Sequence, residues 1–337
     1  MVLQRVYDAL GGANWLNSDG WTPGQSCDTI HQDRWHGTVC AGGSIHRLEL
    51  VANGLQNTLP TEIGALAALK ALAIESNPLL SGTIPTELGA LASLRSLSIH
   101  NNTRISGTLP SQLGLLSNLR FLSVHSSSLS GTLPSSLVLS RLNYFDAASN
   151  SIGGHMPAFE QAGSLQYLSL HHNQLSGTLS SGVGMLSGLR DRIHANANRI
   201  SGTLPSELGN LTHLALPALQ ENSITGTVPT QLGRITQLIF PSLSYNLLSG
   251  TVPTELASWT SLQGRLDLAS NLLTTYGEQA SIDSDIVRRG QSAAVPTSWY
   301  AYLDRCNWRR QPAGRSQCSA SDSPDVAPRV THNYYTS

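Results

Sequence analysis

The sequence predicts a solenoid of the α/β class, right-handed and about ten coils long, with a parallel sheet along its concave face. The first observation is self-similarity, because the segment that begins Leu-Ser-Gly-Thr-Ile-Pro at Leu80 returns with small changes about every 24 residues. The second is the pattern Leu-x-x-Leu-x-Leu-x-x-Asn in each period, whose alternation is typical of a strand with one buried face. Such short units bury their apolar side only by stacking on their neighbours.

Residues 1–44 are predicted to form an N-terminal cap. Apolar residues at helical spacing predict a short amphipathic helix over 3–10, and Gly11 and Gly12 end it. A solenoid needs such a cap because the core at its first coil would otherwise face water. Three tryptophans are expected to cover that open end: Trp15, Trp21 and Trp35.

Residues 45–276 hold the repeats. Each coil places an asparagine at the turn after its strand, where a buried amide can bond the backbone groups that the turn frees. Pro217 and Pro241 stand at inward strand positions, so we expect those strands to be short or bulged. The Gly and Pro that follow each turn predict an irregular return path. The column reads Asn53, Asn77, Asn101 or Asn102, Ser127, Asn150, Asn173, Asn198, Asn222, Asn246 and Asn271.

The repeat ends near Gly277, and residues 277–318 are expected to cap the last coil while 319–337 form a flexible tail. Two close cysteine pairs suggest capping disulfides and an oxidising compartment, and two Asn-x-Thr triplets match the N-glycosylation pattern. We therefore expect an extracellular or cell-surface protein whose signal segment is not included in the sequence given. The residues are Cys27 with Cys40, Cys306 with Cys318, and the acceptors Asn101 and Asn210.

Composition excludes several classes of function. The 337 residues carry a formal net charge of −1, and no run of Lys or Arg points to nucleic acid. The one lysine, Lys70, lies inside a repeat, so a kinase nucleotide site has no candidate. No stretch of about 18 apolar residues predicts a membrane span. We expect no nucleic acid, no membrane span and no cofactor.

The repeats resemble the plant-type leucine-rich-repeat family, which includes the ectodomains of plant receptor-like kinases and the polygalacturonase-inhibiting proteins. The resemblance is carried by Leu-Ser-Gly-Thr-x-Pro across residues 3 to about 276, and by Trp35-His36-Gly37 with the first cysteine pair in the cap. It implies an α/β leucine-rich-repeat solenoid. It leaves the ligand open, because the family binds proteins, peptides, hormones and glycans on one scaffold.

The outward strand residues are the candidate binding residues, because stacking brings them into columns about 4.8 Å apart. One column offers three adjacent aromatic rings, Phe121, Tyr144 and Tyr167. Exposed aromatic residues in a row are common anchors of binding sites, although neighbouring rings can also merely shield each other. We predict that they bind the ligand.

A neighbouring column carries His100, His125 and His171. Ala148 interrupts it, and no carboxylate or thiolate completes a tetrahedral shell, so we predict no metal site. We assign these histidines to hydrogen bonding with the ligand and expect their near-neutral titration to make binding depend on pH. Asp146, one strand position away, is expected to add an acceptor to the same surface.

A third column repeats a threonine after each Ser-Gly. Flat threonine ladders on β-solenoids resemble ice-binding surfaces, whereas Thr also suits an extended segment and bonds locally. Ice binding is therefore an alternative of another functional class. The column is Thr58, Thr83, Thr108, Thr132, His155, Thr178, Thr203, Thr227 and Thr251.

The sequence contains no Gly-x-Ser-x-Gly, His-Glu-x-x-His, Cys-x-x-Cys or Gly-x-Gly-x-x-Gly motif, so we predict that the protein is not an enzyme. The predicted function is recognition of an extracellular protein, peptide or glycan on the concave face of coils three to six. An alternative that the family resemblance implies is inhibition of a secreted cell-wall-degrading enzyme.

Overall fold

The computed structural model describes residues 2–21, 35–137, 141–156, 163–189, 192–214, 216–238, 241–259 and 266–274. All of them belong to one compact unit, Met1–Ala293. Successive coils repeat the same path, through a strand of one long sheet, a turn, a second short strand and, in most coils, a 3-10 segment. The chain is thus a solenoid, as its repeats predict.

The long sheet has nine strands, of which the first, β1 (Thr38–Ala41), pairs antiparallel with β2 (Ser44–Glu49). From β2 onwards the pairing is parallel, with one strand in each coil. Isolated bridges of Ser242 with Ala218 and with Asp267 carry the pairing into two further coils. The remaining strands are Ala71–Ala73, Ser96–Ser98, Phe121–Ser123, Tyr144–Asp146, Tyr167–Ser169, Arg192–His194 and Leu216–Ala218.

A second set of parallel strands forms where each coil passes through Ser-Gly-Thr, so the expected irregular path is wrong for this segment. The extended segments lie in register and satisfy one another's backbone groups, even though each glycine has a positive φ, such as 78° at Gly107. We call these two sheets the side sheets. Their strands are Asn57–Thr58, Leu80–Thr83, Arg104–Thr108 and Ser128–Ser130, then Gly153–His155, Gln174–Thr178, Arg199–Thr203, Ser223–Gly226, Leu247–Gly250 and Leu272–Leu273.

Short 3-10 segments complete the coils. Proline stands before most of them, as Pro85 does with φ −65°, because its fixed φ and missing donor suit the start of a helical turn. Each segment turns an apolar residue such as Leu88 into the core. They span Thr61–Ala65, Thr86–Ala90, Ser111–Leu115, Ser135–Leu137, Ser181–Met185, Ser206–Asn210, Thr230–Arg234 and Thr254–Ser258.

The N-terminal helix runs from Val2 to Ala9, and a 3-10 turn over Gly12–Asn14 follows Gly11, whose φ is 71°. Packing of the three tryptophans against the core is confirmed, since each is 7% exposed. Their indole rings lie 4.9 Å (Trp15 to Trp21) and 5.6 Å (Trp21 to Trp35) apart between centroids.

Several predictions concern residues outside the described ranges. Cys40 is buried in the cap, but Cys27, Cys306 and Cys318 lie outside those ranges, so both disulfide pairings stay predictions. The same holds for the C-terminal cap over 277–318 and the tail over 319–337.

The asparagine column forms a ladder between the long sheet and the side sheets, buried at Asn53, Asn77, Asn102 and Asn246 and half-buried at its other asparagines. Asn102, not Asn101, occupies its third position and is 0% exposed. Its Nδ2 donates to the carbonyl of Ile74 at 2.7 Å, and its Oδ1 accepts from the backbone N–H of Asn77 at 2.9 Å. Ser127 is too short to continue this pattern, and its buried Oγ has no hydrogen-bond partner among the described residues.

The two inward prolines behave differently. The strand with Pro217 has three residues, as many as Phe121–Ser123, so the prediction of a shortened strand is wrong there. The Pro217 carbonyl still accepts from the N–H of Ser242 at 3.2 Å, which keeps one side of the ladder intact. Beside Pro241, by contrast, the described backbone forms only the isolated bridges of Ser242, as predicted.

Candidate functional site

The aromatic ladder, defined as Phe121, Tyr144 and Tyr167, lies on the outer face of the long sheet. Parallel pairing puts Tyr144 directly between the other two residues. The ring centroids are 4.5 Å apart from Phe121 to Tyr144 and 4.3 Å apart from Tyr144 to Tyr167, with interplanar angles of 11° and 3°. All three side chains are half-buried. The rings therefore shield one another's faces and still reach the surface through their edges.

Beside the ladder runs a column of small polar residues that point outward from the strands and are nevertheless buried. Asp146 belongs to it and is 7% exposed, so its predicted role as a surface acceptor is wrong. The large rings on either side of this polar column exclude water from it. Its members are Ser98, Ser123, Asp146 and Ser169.

The buried carboxyl of Asp146 has hydrogen-bond donors around it. Its Oδ1 accepts from the backbone N–H of Ala148 at 3.0 Å, and the Tyr144 hydroxyl donates to Oδ2 at 3.4 Å. Burial raises the pKa of Asp146 to about 6, although the hydrogen bonds from Ala148, Ser169 and Tyr144 act in the opposite direction. Asp146 therefore lies beneath the surface and accepts a hydrogen bond from the Tyr144 hydroxyl.

The histidine column, defined as His100, His125 and His171, borders the polar column on its other side. Burial, together with the smaller effect of neighbouring imidazoles, lowers the pKa of His125 to about 4 and that of His171 to about 3. The predicted near-neutral titration is therefore wrong for these two residues, which stay neutral at physiological pH. The Nδ1 of His171 lies 2.9 Å from the Oγ of Ser169.

His100 stacks on His125, with ring centroids 4.2 Å apart, and its Nε2 lies 3.3 Å from the Glu75 carboxylate. Burial by itself raises the pKa of Glu75, but the hydrogen bond and charge of His100 outweigh it, and the net pKa is lowered. Within the described ranges no three His, Cys, Asp or Glu side chains are placed to hold a metal ion.

A basic column, defined as Lys70, Arg95 and Arg120, lies at the start of the strands in coils two to four. The N–H of Arg95 donates to the Lys70 carbonyl, and that of Arg120 to the Arg95 carbonyl, both at 2.8 Å. All three side chains are exposed. Sequence reasoning missed this column because it looked for contiguous basic runs. The signal was the interval of 25 residues between successive members.

The threonine column lies on the outer face of the side sheets, and its eight threonines and His155 are exposed. The methyl of every column threonine except Thr251 packs over a glycine of the next coil, so a Cβ on Gly107 would lie 2.7 Å from Cγ2 of Thr83. Neighbouring serines bond the preceding coil, as Ser201 does by donating to the Gly177 carbonyl at 3.2 Å. In the part of the chain that the structure describes, the threonine hydroxyls of this column make no hydrogen bond to protein.

Two further predictions concern the surface. The side chains of Asn101 and Asn210 are exposed, which glycosylation requires, and their modification stays a prediction. No helix in the described ranges has the length and apolar character needed to cross a membrane.

Comparisons with known proteins agree with this architecture. A family model described as Leucine Rich Repeat matches residues 164–186. The leucine-rich-repeat ectodomain of the membrane receptor kinase GASSHO1/SCHENGEN3 from Arabidopsis thaliana is 34% identical, with a TM-score of 0.72 over 83% of this chain and 34% of that chain. The plant peptide hormone receptor RGFR1 is 30% identical, with a TM-score of 0.59 over 65% of this chain and 39% of that one.

A plant ice-binding protein is also similar, with 25% identity and a TM-score of 0.68 over 85% of this chain and 91% of that chain. No curated protein sequence matches. This chain spans about a third of the first receptor ectodomain's length. The fold and the repeats define a solenoid-type repeat protein. The chain is a leucine-rich-repeat protein, and its repeats are of the plant type seen in receptor kinase ectodomains.

Proposed function

We propose that the protein is a non-catalytic recognition module that binds an extracellular protein, peptide or glycan on the outer face of the long sheet at coils three to six. The aromatic ladder carries this proposal, because three large rings on consecutive coils are left half-exposed on one side of the sheet. Two similar plant proteins are named as complexes, one with CASPARIAN STRIP INTEGRITY FACTOR 2 and one with RGF2.

In this proposal the ladder supplies the apolar anchors, and His125 and His171 supply neutral hydrogen-bonding groups beside it. His100 adds a third imidazole to the same column. Asp146 is a positioning residue, since it holds the Tyr144 hydroxyl beneath the surface. Extracellular location belongs to the same proposal and is supported by the cysteine pairs and by the exposure of Asn101.

The absence of catalysis is supported by the burial of a serine–histidine pair on this face, which resembles the nucleophile and base of a hydrolase. Ser169 and His171 lie within hydrogen-bonding distance, as a nucleophile and a base do in hydrolases. Ser169 is 0% exposed, however, and a substrate therefore cannot reach its Oγ. The pair instead connects the histidine column to the polar column.

The test is capture of a partner from the extracellular fluid of the source organism on the immobilised protein. Changing Phe121, Tyr144 and Tyr167 together to Ala should abolish retention of that partner. A matched variant changes three exposed apolar residues outside the ladder, L115A with M185A and Y245A, and should retain it. Equal retention by both variants would show that the ladder is not the binding site.

Inhibition of a secreted cell-wall-degrading enzyme is the form of this function that the family resemblance implies. It predicts that the protein slows a pectin-degrading enzyme in a direct assay, and that the aromatic variant does not. Full enzyme activity at saturating protein would reject it.

A second candidate, ice binding, is favoured by the threonine column. Its methyl groups are held against glycines of the next coil and its hydroxyls are exposed at a spacing of about 4.8 Å, which makes a regular array of fixed polar and apolar groups. The similar plant protein named as ice-binding matches this chain over 91% of its own length.

Thermal hysteresis of a concentrated solution tests this candidate. T108Y with T203Y should abolish it by breaking the array, whereas T86Y with T230Y, at exposed threonines of the 3-10 segments, should leave it intact. Normal ice growth in the presence of the unaltered protein would dismiss ice binding and leave the recognition proposal untouched.

A further inference from the structure

The basic column places three positively charged side chains at the starts of neighbouring strands of the long sheet. Lys70, Arg95 and Arg120 follow one another on consecutive coils of a chain whose net charge is only −1. The three ion pairs among the described residues are those of Arg5, Arg47 and His100 with glutamates, and neither Lys70 nor Arg120 takes part. Their backbones follow one another at the strand spacing of about 4.8 Å, so three cationic side chains stand on neighbouring coils and would attract an anionic partner.

The column next to these cations contains no carboxylate. Ala71, Ser96 and Phe121 directly follow the three basic residues along their strands. On coil two, the Glu75 carboxylate is engaged by His100, whose Nε2 lies 3.3 Å from it. The electrostatic potential over the basic column is therefore positive, and a positive potential attracts anions from solution.

The aromatic ladder continues this positive surface into coils four to six. Because its rings stack on one another, both faces of Tyr144 are covered, and the ladder presents ring edges to solvent. The edge of an aromatic ring carries partial positive charge, whereas its face is negative. The C–H groups at ring edges can therefore contact the oxygen atoms of carboxylates and peptide carbonyls, which act as acceptors.

The same geometry argues against a glycan. Sugar rings pack their C–H groups against the faces of aromatic side chains, and in this ladder both faces of Tyr144 and one face each of Phe121 and Tyr167 are occupied by neighbouring rings. An extended polypeptide does not have to stack on a ring face. Its carbonyl and carboxylate oxygens can contact the ring edges of the aromatic ladder and the cations of the basic column along one line.

We infer that the partner of this face is a polypeptide with an extended acidic segment, whose carboxylates meet Lys70, Arg95 and Arg120 and whose continuation crosses the edges of the aromatic ladder. The inference rests on the proposed recognition function, since it names the partner's chemistry at that same sheet.

A fluorescein-labelled octaglutamate peptide is the probe, and its fluorescence anisotropy is measured at about 20 mM salt and again at about 0.5 M salt. The variant K70Q with R95Q and R120Q should weaken binding about tenfold at low salt, with a smaller loss at high salt. The control R104Q with R199Q and R234Q removes the same charge from exposed arginines elsewhere and should bind as the unaltered protein does.

Three outcomes would overturn the inference. An equal loss of peptide affinity in the basic-column variant and in its control would mean that binding depends only on the net charge of the protein. Tighter binding of an oligoguluronate of equal charge would assign the face to an anionic glycan. The natural partner could also be retained by the basic-column variant and lost by the aromatic variant. That result would refute the proposed acidic segment but would leave the proposed recognition function intact.

Discussion

The long sheet and the side sheets are built from the same coils and the same parallel pairing, yet their outer faces differ. On the long sheet, aromatic and imidazole rings flank small polar residues and bury them, so that Asp146 and His171 have strongly shifted pKa values. On the side sheets, glycines and threonines leave every hydroxyl of the threonine column exposed. In both kinds of sheet, the strand register aligns equivalent residues of successive coils into columns. The size of the flanking side chains then decides whether a column is exposed or buried.

The largest effect is expected at the asparagine ladder, which lies between the two kinds of sheet. Asn102→Ala leaves the Ile74 carbonyl and the Asn77 N–H buried without partners. We expect the free energy of unfolding to fall by about 3 kcal/mol, measured by urea denaturation. Asn101→Gly, at the exposed neighbour whose φ is positive, should change it by less than about 0.5 kcal/mol. Similar losses in both variants would contradict the ladder's role.

The buried carboxyl of the long sheet predicts a dependence of stability on pH. The folded-state pKa of Asp146 is about 6, against an ordinary value of 3.8, so between these values the folded protein binds more protons than the unfolded chain. This group's contribution therefore falls as pH rises through that window, by up to about 3 kcal/mol. His125 and His171, with lowered pKa values, contribute the opposite slope.

Comparison with Asp146→Asn isolates the carboxyl, because the histidines titrate in both proteins. The unfolding free energy of the unaltered protein minus that of D146N should decrease between about pH 4 and about pH 6 and then level off. Urea denaturation across this range measures it. A difference that stays constant with pH would mean that Asp146 is as solvated as an ordinary surface carboxylate.

On the side sheets, each glycine that contacts a threonine methyl has no room for a Cβ atom. Gly107→Ala places a Cβ 2.7 Å from Cγ2 of Thr83 at a φ of 78°, and we expect a loss of about 1 to 2 kcal/mol in unfolding free energy. Thr83→Ser removes that methyl, so the double variant should recover part of the loss. No recovery would attribute the whole effect to backbone strain.

The smallest effect is a gain. Ser127→Asn restores the missing amide of the ladder, where a buried hydroxyl now has no hydrogen-bond partner among the described residues. We expect about 1 kcal/mol of added stability, measured as a raised denaturation midpoint. Ala52→Gly, at the exposed position that precedes Asn53 in another coil and has φ 48°, serves as the control and should stay within about 0.5 kcal/mol of the unaltered protein.

The repeat period, the inward leucines and the capping tryptophans could all be predicted, because each depends on residue type at a spacing within one coil. The side sheets could not, since a positive-φ glycine such as Gly107 normally argues against a strand, and only identical neighbours in register make its pairing favourable.

For the site, the sequence by itself determined that Phe121, Tyr144 and Tyr167 share one face, because parallel stacking turns an interval of about one coil into adjacency. Only the tertiary structure decided that Asp146 is interior, that His171 stays neutral, and that Lys70, Arg95 and Arg120 form one charged edge. The physical reason is that burial and electrostatic field at a side chain depend on the size and charge of neighbours from other coils, which no single repeat contains.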